Sequence, residues 1–160
     1  MSDAAVAQTS RRASSPVVIA LGSNLGDRAY NLRRAVAALA RVMRVVRVSS
    51  VVETKAVDAP PGSPDFLNMV VAGVTSLDAP SLLREMLAIE SSLGRRRTGV
   101  RNAPRIIDLD LILYGAQLAR TPELTLPHPR YRQREFVMQP LRQLQLGWRD
   151  PASGEAIDRR

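Results

Sequence analysis

A chain of 160 residues with 45% hydrophobic content can bury one core. Its lack of cysteine excludes disulfides and thiolate metal sites, and its one histidine excludes an imidazole-rich zinc site, leaving magnesium on oxygen ligands as the favoured metal. The net charge of +8 supports an anionic ligand, polymer or nucleotide, although at 4% aromatic content no segment carries the paired aromatics on which a single-strand binder stacks bases. Residues 1–15 are Ala, Ser and Thr with Arg11 and Arg12, have no periodicity, and read as a disordered extension before a single domain over 16–160. They lack the apolar segment of a signal peptide, and no stretch reaches the roughly 18 apolar residues of a membrane span, so a cytoplasmic protein is expected. Val17-Val18-Ile19-Ala20-Leu21 reads as a buried strand ending in the turn Gly22-Ser23-Asn24-Leu25-Gly26-Asp27. Asp27 then caps a helix over 28–42, with Leu32, Val36, Leu39 and Val42 at helical spacing.

Residues 45–54 read as a second strand, 55–64 as a proline-rich functional loop, and 65–74 as a third strand. Asp78-Ala79-Pro80 starts a second helix that carries Glu90 and ends at Gly94. Residues 94–105 form a loop with five arginines, followed by an apolar strand over 105–114. Beyond it come a short hairpin near 117–119, the crossing Leu126-Pro127-His128-Pro129, an apolar helix or turn over 136–141, and a mostly polar tail from Trp148. The order strand, helix, strand, strand, helix, strand predicts a ferredoxin-like α+β sandwich, an antiparallel sheet with helices on one face and the other face free for ligands.

The strand over 105–114 carries the chemistry. Its period of two puts Asp108 and Asp110 on one face and Ile107, Leu109, Leu111 and Leu113 on the other. The two acids are then about 7 Å apart at Cα and can bridge two divalent cations about 4 Å apart. Like charges so close need a cation or arginines to neutralise them. Acids that hold metal, beside a loop that holds anions, point to phosphoryl chemistry. A nucleotidyltransferase also combines a Gly-Ser turn with Asp-x-Asp, but there the two usually lie close in sequence, whereas Gly22-Ser23 and Asp108 are far apart. A basic RNA-binding module would need surface aromatics that this chain lacks.

Four segments in order carry a resemblance over about residues 17–141: Ala20-Leu21-Gly22-Ser23-Asn24-Leu25-Gly26, Pro64-Asp65-Phe66-Leu67-Asn68, Arg101-Asn102-Ala103-Pro104-Arg105 with Asp108-Leu109-Asp110-Leu111-Ile112, and Leu126-Pro127-His128. The chain resembles the 6-hydroxymethyl-7,8-dihydropterin pyrophosphokinases, folate-pathway enzymes that move a diphosphate from ATP to a pterin alcohol. The resemblance implies two magnesium ions on Asp108 and Asp110, and catalytic roles for Arg95 and Arg105 beside them. It implies ATP contacts from Glu90, Arg97, Arg101, Leu111, His128 and Arg134. Thr54, Val57, Phe66, Asn68 and Phe136 are implied as the pterin site, in a monomer acting on small molecules. Asn102 stands where many members carry Trp, Ala103 replaces the commoner Gly, and Pro129 follows His128 where an aromatic is common. Gly22 and Gly26 admit two readings, turn geometry or direct ligand contact.

Overall fold

The unbroken apolar run 17–21 forms the middle of the sheet because both of its faces are covered. The computed structural model describes residues 13–159. Its elements are β1 (Ser15–Ser23), α1 (Arg28–Leu39), β2 (Arg44–Val48), β3 (Val52–Thr54), β4 (Phe66–Thr75), α2 (Ala79–Ser92), β5 (Asp108–Tyr114), β6 (Ala119–Arg120), β7 (Thr125–Leu126), a 3-10 turn at Tyr131–Gln133, and α3 (Glu135–Gln143). Of the extension expected at 1–15, residues 1–12 lie outside the described residues, and Ser15 already pairs with Thr75 in the sheet.

The main sheet runs β2-β4-β1-β5 with β3 also on β4, and its pairings are antiparallel. This is the ferredoxin-like α+β arrangement expected from the element order. Each long helix starts as its acid dictates: Asp27 accepts from the Tyr30 amide and Asp78 from the Ser81 amide. On one face of the sheet, Val17, Ile19, Leu21, Met69, Val71, Leu109 and Leu111 pack with Leu32 and Leu39 of α1 and Leu82 and Met86 of α2.

Three expectations need correction. The strand read over 45–54 is two strands, because Ser49 breaks the ladder: its hydroxyl accepts from the Val70 amide while the next residue, Ser50, turns to Gln143. The alternation read along β5 fails at its far end, where Val18 pairs with Leu113 but Ile19 with Leu111. Ile112 is thus an extra residue, a β-bulge, and Leu113 turns to the opposite face from Leu109 and Leu111. The face expected to be free is half covered, since Val137, Met138 and Leu141 of α3 pack there on Val18, Ala20, Val70 and Ala72. That leaves open the end of the face that bears Asn68, Gly22 and Asp108.

The polar tail also belongs to this second core. Ile157 is fully buried, and Asp150, 4% exposed, accepts from the Tyr131 hydroxyl at 2.7 Å and from the Ala152 and Ser153 amides. Burial pushes the Asp150 carboxyl up, but these donors and the Arg132 charge outweigh it and hold it below 3.8. A depressed folded value contributes stability above the unfolded value, and that contribution is lost as pH falls through the folded one. Asp150→Ala is therefore expected to cost about 1–3 kcal/mol at neutral pH. Urea titrations of variant and parent should keep this gap down to about pH 4 and converge as the pH falls further, and a gap that stays unchanged well below that pH would overturn this account.

Candidate active site

The groups at the open end of the sheet are placed by four local devices. The first is the end of α2, where Gly94 has φ +100 and the amides of Gly94 and Arg95 bond the carbonyls of Ser91 and Glu90. This Schellman motif folds the chain back so that Arg95 returns beside Glu90. Glu90 is 3% exposed; its Oε1 accepts from the Leu109 amide at 2.8 Å and from Arg95 Nη1 at 2.6 Å. Burial raises its carboxyl above the ordinary value, with the Leu109 amide and Arg95 opposing. Glu90 is thus a buried post that locks the root of β5 and the arginine together.

The second device is β5. Asp108 and Asp110 share a face, across from Gly22 and Ala20 of β1 respectively. Arg95 Nη1 donates to Asp108 Oδ1 at 2.6 Å, Arg105 Nη1 to Asp108 Oδ2 at 3.3 Å, and Arg134 Nη1 to Asp110 Oδ2 at 3.1 Å. Burial, then the neighbouring Asp108 charge, pushes the Asp110 carboxyl up to about 6 against the pull of Arg134. The two acids are thus paired with the chain's own guanidinium groups, which at Asp110 do not fully offset burial and the Asp108 charge.

The third device is the bulge. The carbonyl of Ile112 accepts from the His128 amide at 2.9 Å, which brings Arg134 Nη1 within 3.3 Å of His128 Nε2. Burial, then the charges of Arg134 and Arg130, lowers the imidazole to about 4, so it is neutral at pH 7.

The fourth is Asn24, 1% exposed, whose backbone amide donates to the Arg105 carbonyl at 3.1 Å while its Oδ1 accepts from the Arg105 amide at 2.8 Å. Its Nδ2 reaches the Pro64 carbonyl at 3.1 Å. One side chain thus pins the roots of both loops. At their tips Asn102 Nδ2 donates to the Asp58 carbonyl at 2.9 Å, with both residues at positive φ. Asn24 was legible only as part of a turn; the available signal was a short amide following a buried strand.

Beside the acids, Asn68 Nδ2 donates to Thr54 Oγ1 at 2.7 Å across the β3–β4 pair. The Arg105 guanidinium lies 5.7 Å from the Phe66 ring centre and that of Arg134 lies 5.6 Å from the Phe136 ring centre, within cation–π range. The structure therefore gathers Glu90, Arg95, Arg105, Asp108, Asp110, His128 and Arg134 into one network, with Phe66, Phe136, Thr54 and Asn68 alongside. Arg97 and Arg101 are exposed on the loop, Val57 is 63% exposed, and the Leu111 side chain lies in the helix-side core, on the opposite face from the acids.

Paired carboxylates ringed by arginines on the open end of an antiparallel sheet define an enzyme of phosphoryl-group transfer. The family model described as 7,8-dihydro-6-hydroxymethylpterin-pyrophosphokinase (HPPK) matches residues 18–146. The 2-amino-4-hydroxy-6-hydroxymethyldihydropteridine pyrophosphokinase of Synechocystis sp. is 42% identical over 142 residues, 88% of this chain and 71% of its own. That of Bacillus subtilis is 45% identical over 131 residues, 79% and 75%. An HPPK-DHPS structure from Plasmodium falciparum superposes with a TM-score of 0.68 at 14% identity, a likeness of fold, over 91% of this chain and 41% of its own. The chain therefore spans about two fifths of that bifunctional protein. It belongs to the 7,8-dihydro-6-hydroxymethylpterin-pyrophosphokinase family.

Proposed function

We propose that this chain transfers the β,γ-diphosphate of ATP to the hydroxymethyl group of 6-hydroxymethyl-7,8-dihydropterin, with Asp108 and Asp110 as ligands of two magnesium ions. The observation that carries the reading is the adjacency of two unlike sites on one sheet face: Asn68, bonded to Thr54 beside the Phe66 ring, lies one strand from Gly22 and two from Asp108.

The donor set fits magnesium, which is held by one or two carboxylates and completes its octahedron with water and substrate phosphates. No cluster of three or more acidic, histidine or cysteine ligands occurs among the described residues, so a protein-only cage for a metal is absent there. The high value of Asp110 marks a place where further positive charge is favourable. The metal, when bound, supplies Lewis-acid polarisation of phosphoryl oxygens and eases loss of the alcohol proton.

In the transfer, the hydroxymethyl oxygen bonds to the β-phosphorus, the bond from that phosphorus to the oxygen bridging to the α-phosphate breaks, the alcohol proton is released, and AMP leaves. Arg95 and Arg105 turn from Asp108 to the phosphoryl oxygens as charge develops there. Glu90 keeps Arg95 aimed, and neutral His128 with Arg134 orients the nucleotide. Arg97 and Arg101, out in solvent, and the backbone of Leu111 complete the nucleotide contacts. Phe66 and Phe136 hold the faces of the pterin, Asn68 its edge, and the backbones at Thr54 and Val57 the remaining edge groups. The substrates on this reading are small molecules, bound by a cytoplasmic monomer; none of the described helices is long and apolar enough to cross a membrane.

The test is the product. With ATP, magnesium and the pterin alcohol, phosphorus NMR is expected to show AMP and pterin diphosphate formed in equal amounts. ADP with a pterin monophosphate would place the attack at the γ-phosphorus and overturn the assignment.

A further inference from the structure

Arg28 is the first residue of α1, yet its side chain reaches away from the helix. Its Nη1 donates to the Asp65 carbonyl at 2.9 Å and to Glu53 Oε1 at 3.1 Å, partners 37 and 25 residues away in sequence. The two contacts differ in weight. The Glu53 side chain is 55% exposed, and an ion pair with one partner so far in water contributes little. The bond to the carbonyl is partly buried and charge-assisted, and so the stronger of the two. Packing does not place the guanidinium there, since the side chain borders an open cleft of about 370 Å³. The base from which it reaches is firm. Asn31, 8% exposed, braces the turn before α1 by donating from Nδ2 to the Leu25 carbonyl at 2.9 Å and to Ser23 Oγ at 3.2 Å, and Asp27 caps the helix.

What Arg28 holds is the strand pair that carries the proposed pterin pocket. β3 is short, three residues laddered on β4, with Thr54 opposite Phe66 and Val52 opposite Asn68. Glu53 lies on β3, and Asp65 is the residue at which the chain leaves the proline-rich loop to begin β4. One guanidinium nitrogen therefore fastens both strands at the end where Thr54 meets Phe66. Thr54 Oγ1 in turn accepts from Asn68 Nδ2, so the placing of β3 against β4 also sets the amide that faces a ring edge. We infer that Arg28 is a positioning residue for the pterin pocket: by holding the Asp65 carbonyl it fixes where β4 begins, and with it the Phe66 ring and the Thr54–Asn68 bond. The inference rests on the pterin reading of that pocket.

The experiment compares Arg28→Met, which keeps the apolar stem and loses the donor, and Glu53→Gln with the unaltered chain, using the pterin alcohol, ATP and a non-hydrolysable ATP analogue. The unaltered chain must first form pterin diphosphate; if it does not, the functional reading itself has failed, and the inference with it. Given that turnover, Arg28→Met is expected to raise Kd and KM for the pterin alcohol about tenfold, while kcat and the affinity for the ATP analogue stay within about twofold, the pattern of lost uniform binding. Glu53→Gln leaves the carbonyl bond in place and should stay within about twofold on every measure. Unchanged pterin affinity in a folded Arg28→Met protein would overturn the inference, as would equal losses for pterin and ATP analogue, or a loss in Glu53→Gln matching that in Arg28→Met. Should Arg28→Met not fold, the unaltered chain still decides. Coupling is reciprocal, so the pterin alcohol must tighten the contact that favours its binding. Exchange of the Arg28 side-chain N–H protons is expected to slow with the alcohol and not with the ATP analogue, and a rate that the alcohol leaves unchanged would overturn the inference.

Discussion

Replacing Asp110 with alanine is expected to lower kcat by about a thousandfold or more, the equivalent of roughly 4 kcal/mol of lost charge stabilisation, with the fold intact. Asp108→Ala should act alike on turnover, since the same-face pair works as a unit. The fold should survive because neither acid contributes apolar packing. Asp110 in particular is held at a cost, its carboxyl pushed from 3.8 up to about 6 by burial and by Asp108. A raised folded value means that the folded chain binds the proton more tightly than the unfolded one, so this group's contribution to stability falls as the pH rises from about 4 to about 6. Asp110→Asn should remove that fall while remaining inactive. The measurements are magnesium-dependent turnover and thermal melts across that pH range. A folded Asp110→Ala protein with near-normal turnover at limiting magnesium would overturn the metal assignment.

Arg95→Ala and Arg105→Ala are expected to lower kcat by about a hundredfold to a thousandfold while weakening an ATP analogue by less than about tenfold. Both guanidinium groups pair with Asp108, so contacts to phosphate form at the expense of these pairs. Such an exchange contributes little to ground-state affinity and more to the transition state, where charge on the phosphoryl oxygens shifts. The two variants should differ in stability. Arg95→Ala leaves the buried Glu90 carboxylate with the Leu109 amide but no cation, a loss of about 3–5 kcal/mol by the usual behaviour of a broken buried pair. Arg105, whose acid partner Asp108 is only partly buried, should cost less. Lysine should rescue neither, because a compact ammonium cannot give the planar, bidentate contact to phosphoryl oxygens that a guanidinium gives. Equal losses in ATP-analogue binding and kcat would make these arginines plain anchors.

Much of this was legible in the residues. The alternation Asp108-Leu109-Asp110 put the acids on one face, and the acids at 27 and 78 fixed where two helices begin. Three things were hidden for physical reasons. A serine inside a valine-rich run gives no sign in propensity that its hydroxyl will take the place of a ladder bond, so Ser49 was read through. An apolar run has no polar marker to show a bulge, so the turnover of Leu113 at Ile112 could not be seen, nor could its use of a freed carbonyl to seat His128. Burial of a polar tail depends on tertiary partners: Asp150 reads as a surface acid until the Tyr131 hydroxyl meets it. The role of Glu90 was half legible, because helical spacing does not say whether an acid at a helix end faces water or the root of a strand.

Asn24 carries a consequence for motion. Its backbone and amide bond residue 105 twice and residue 64 once, from a site that water scarcely reaches. Peeling away either loop root would leave part of this amide buried without a partner, at about 1–3 kcal/mol, unless the other root lets go as well. Residues 55–64 and 94–105 are thereby made to open as one cooperative unit, with a shared opening free energy. Amide protons at the roots of the two loops should exchange at a common rate, so the mouths for two chemically unlike substrates would gape and shut in step.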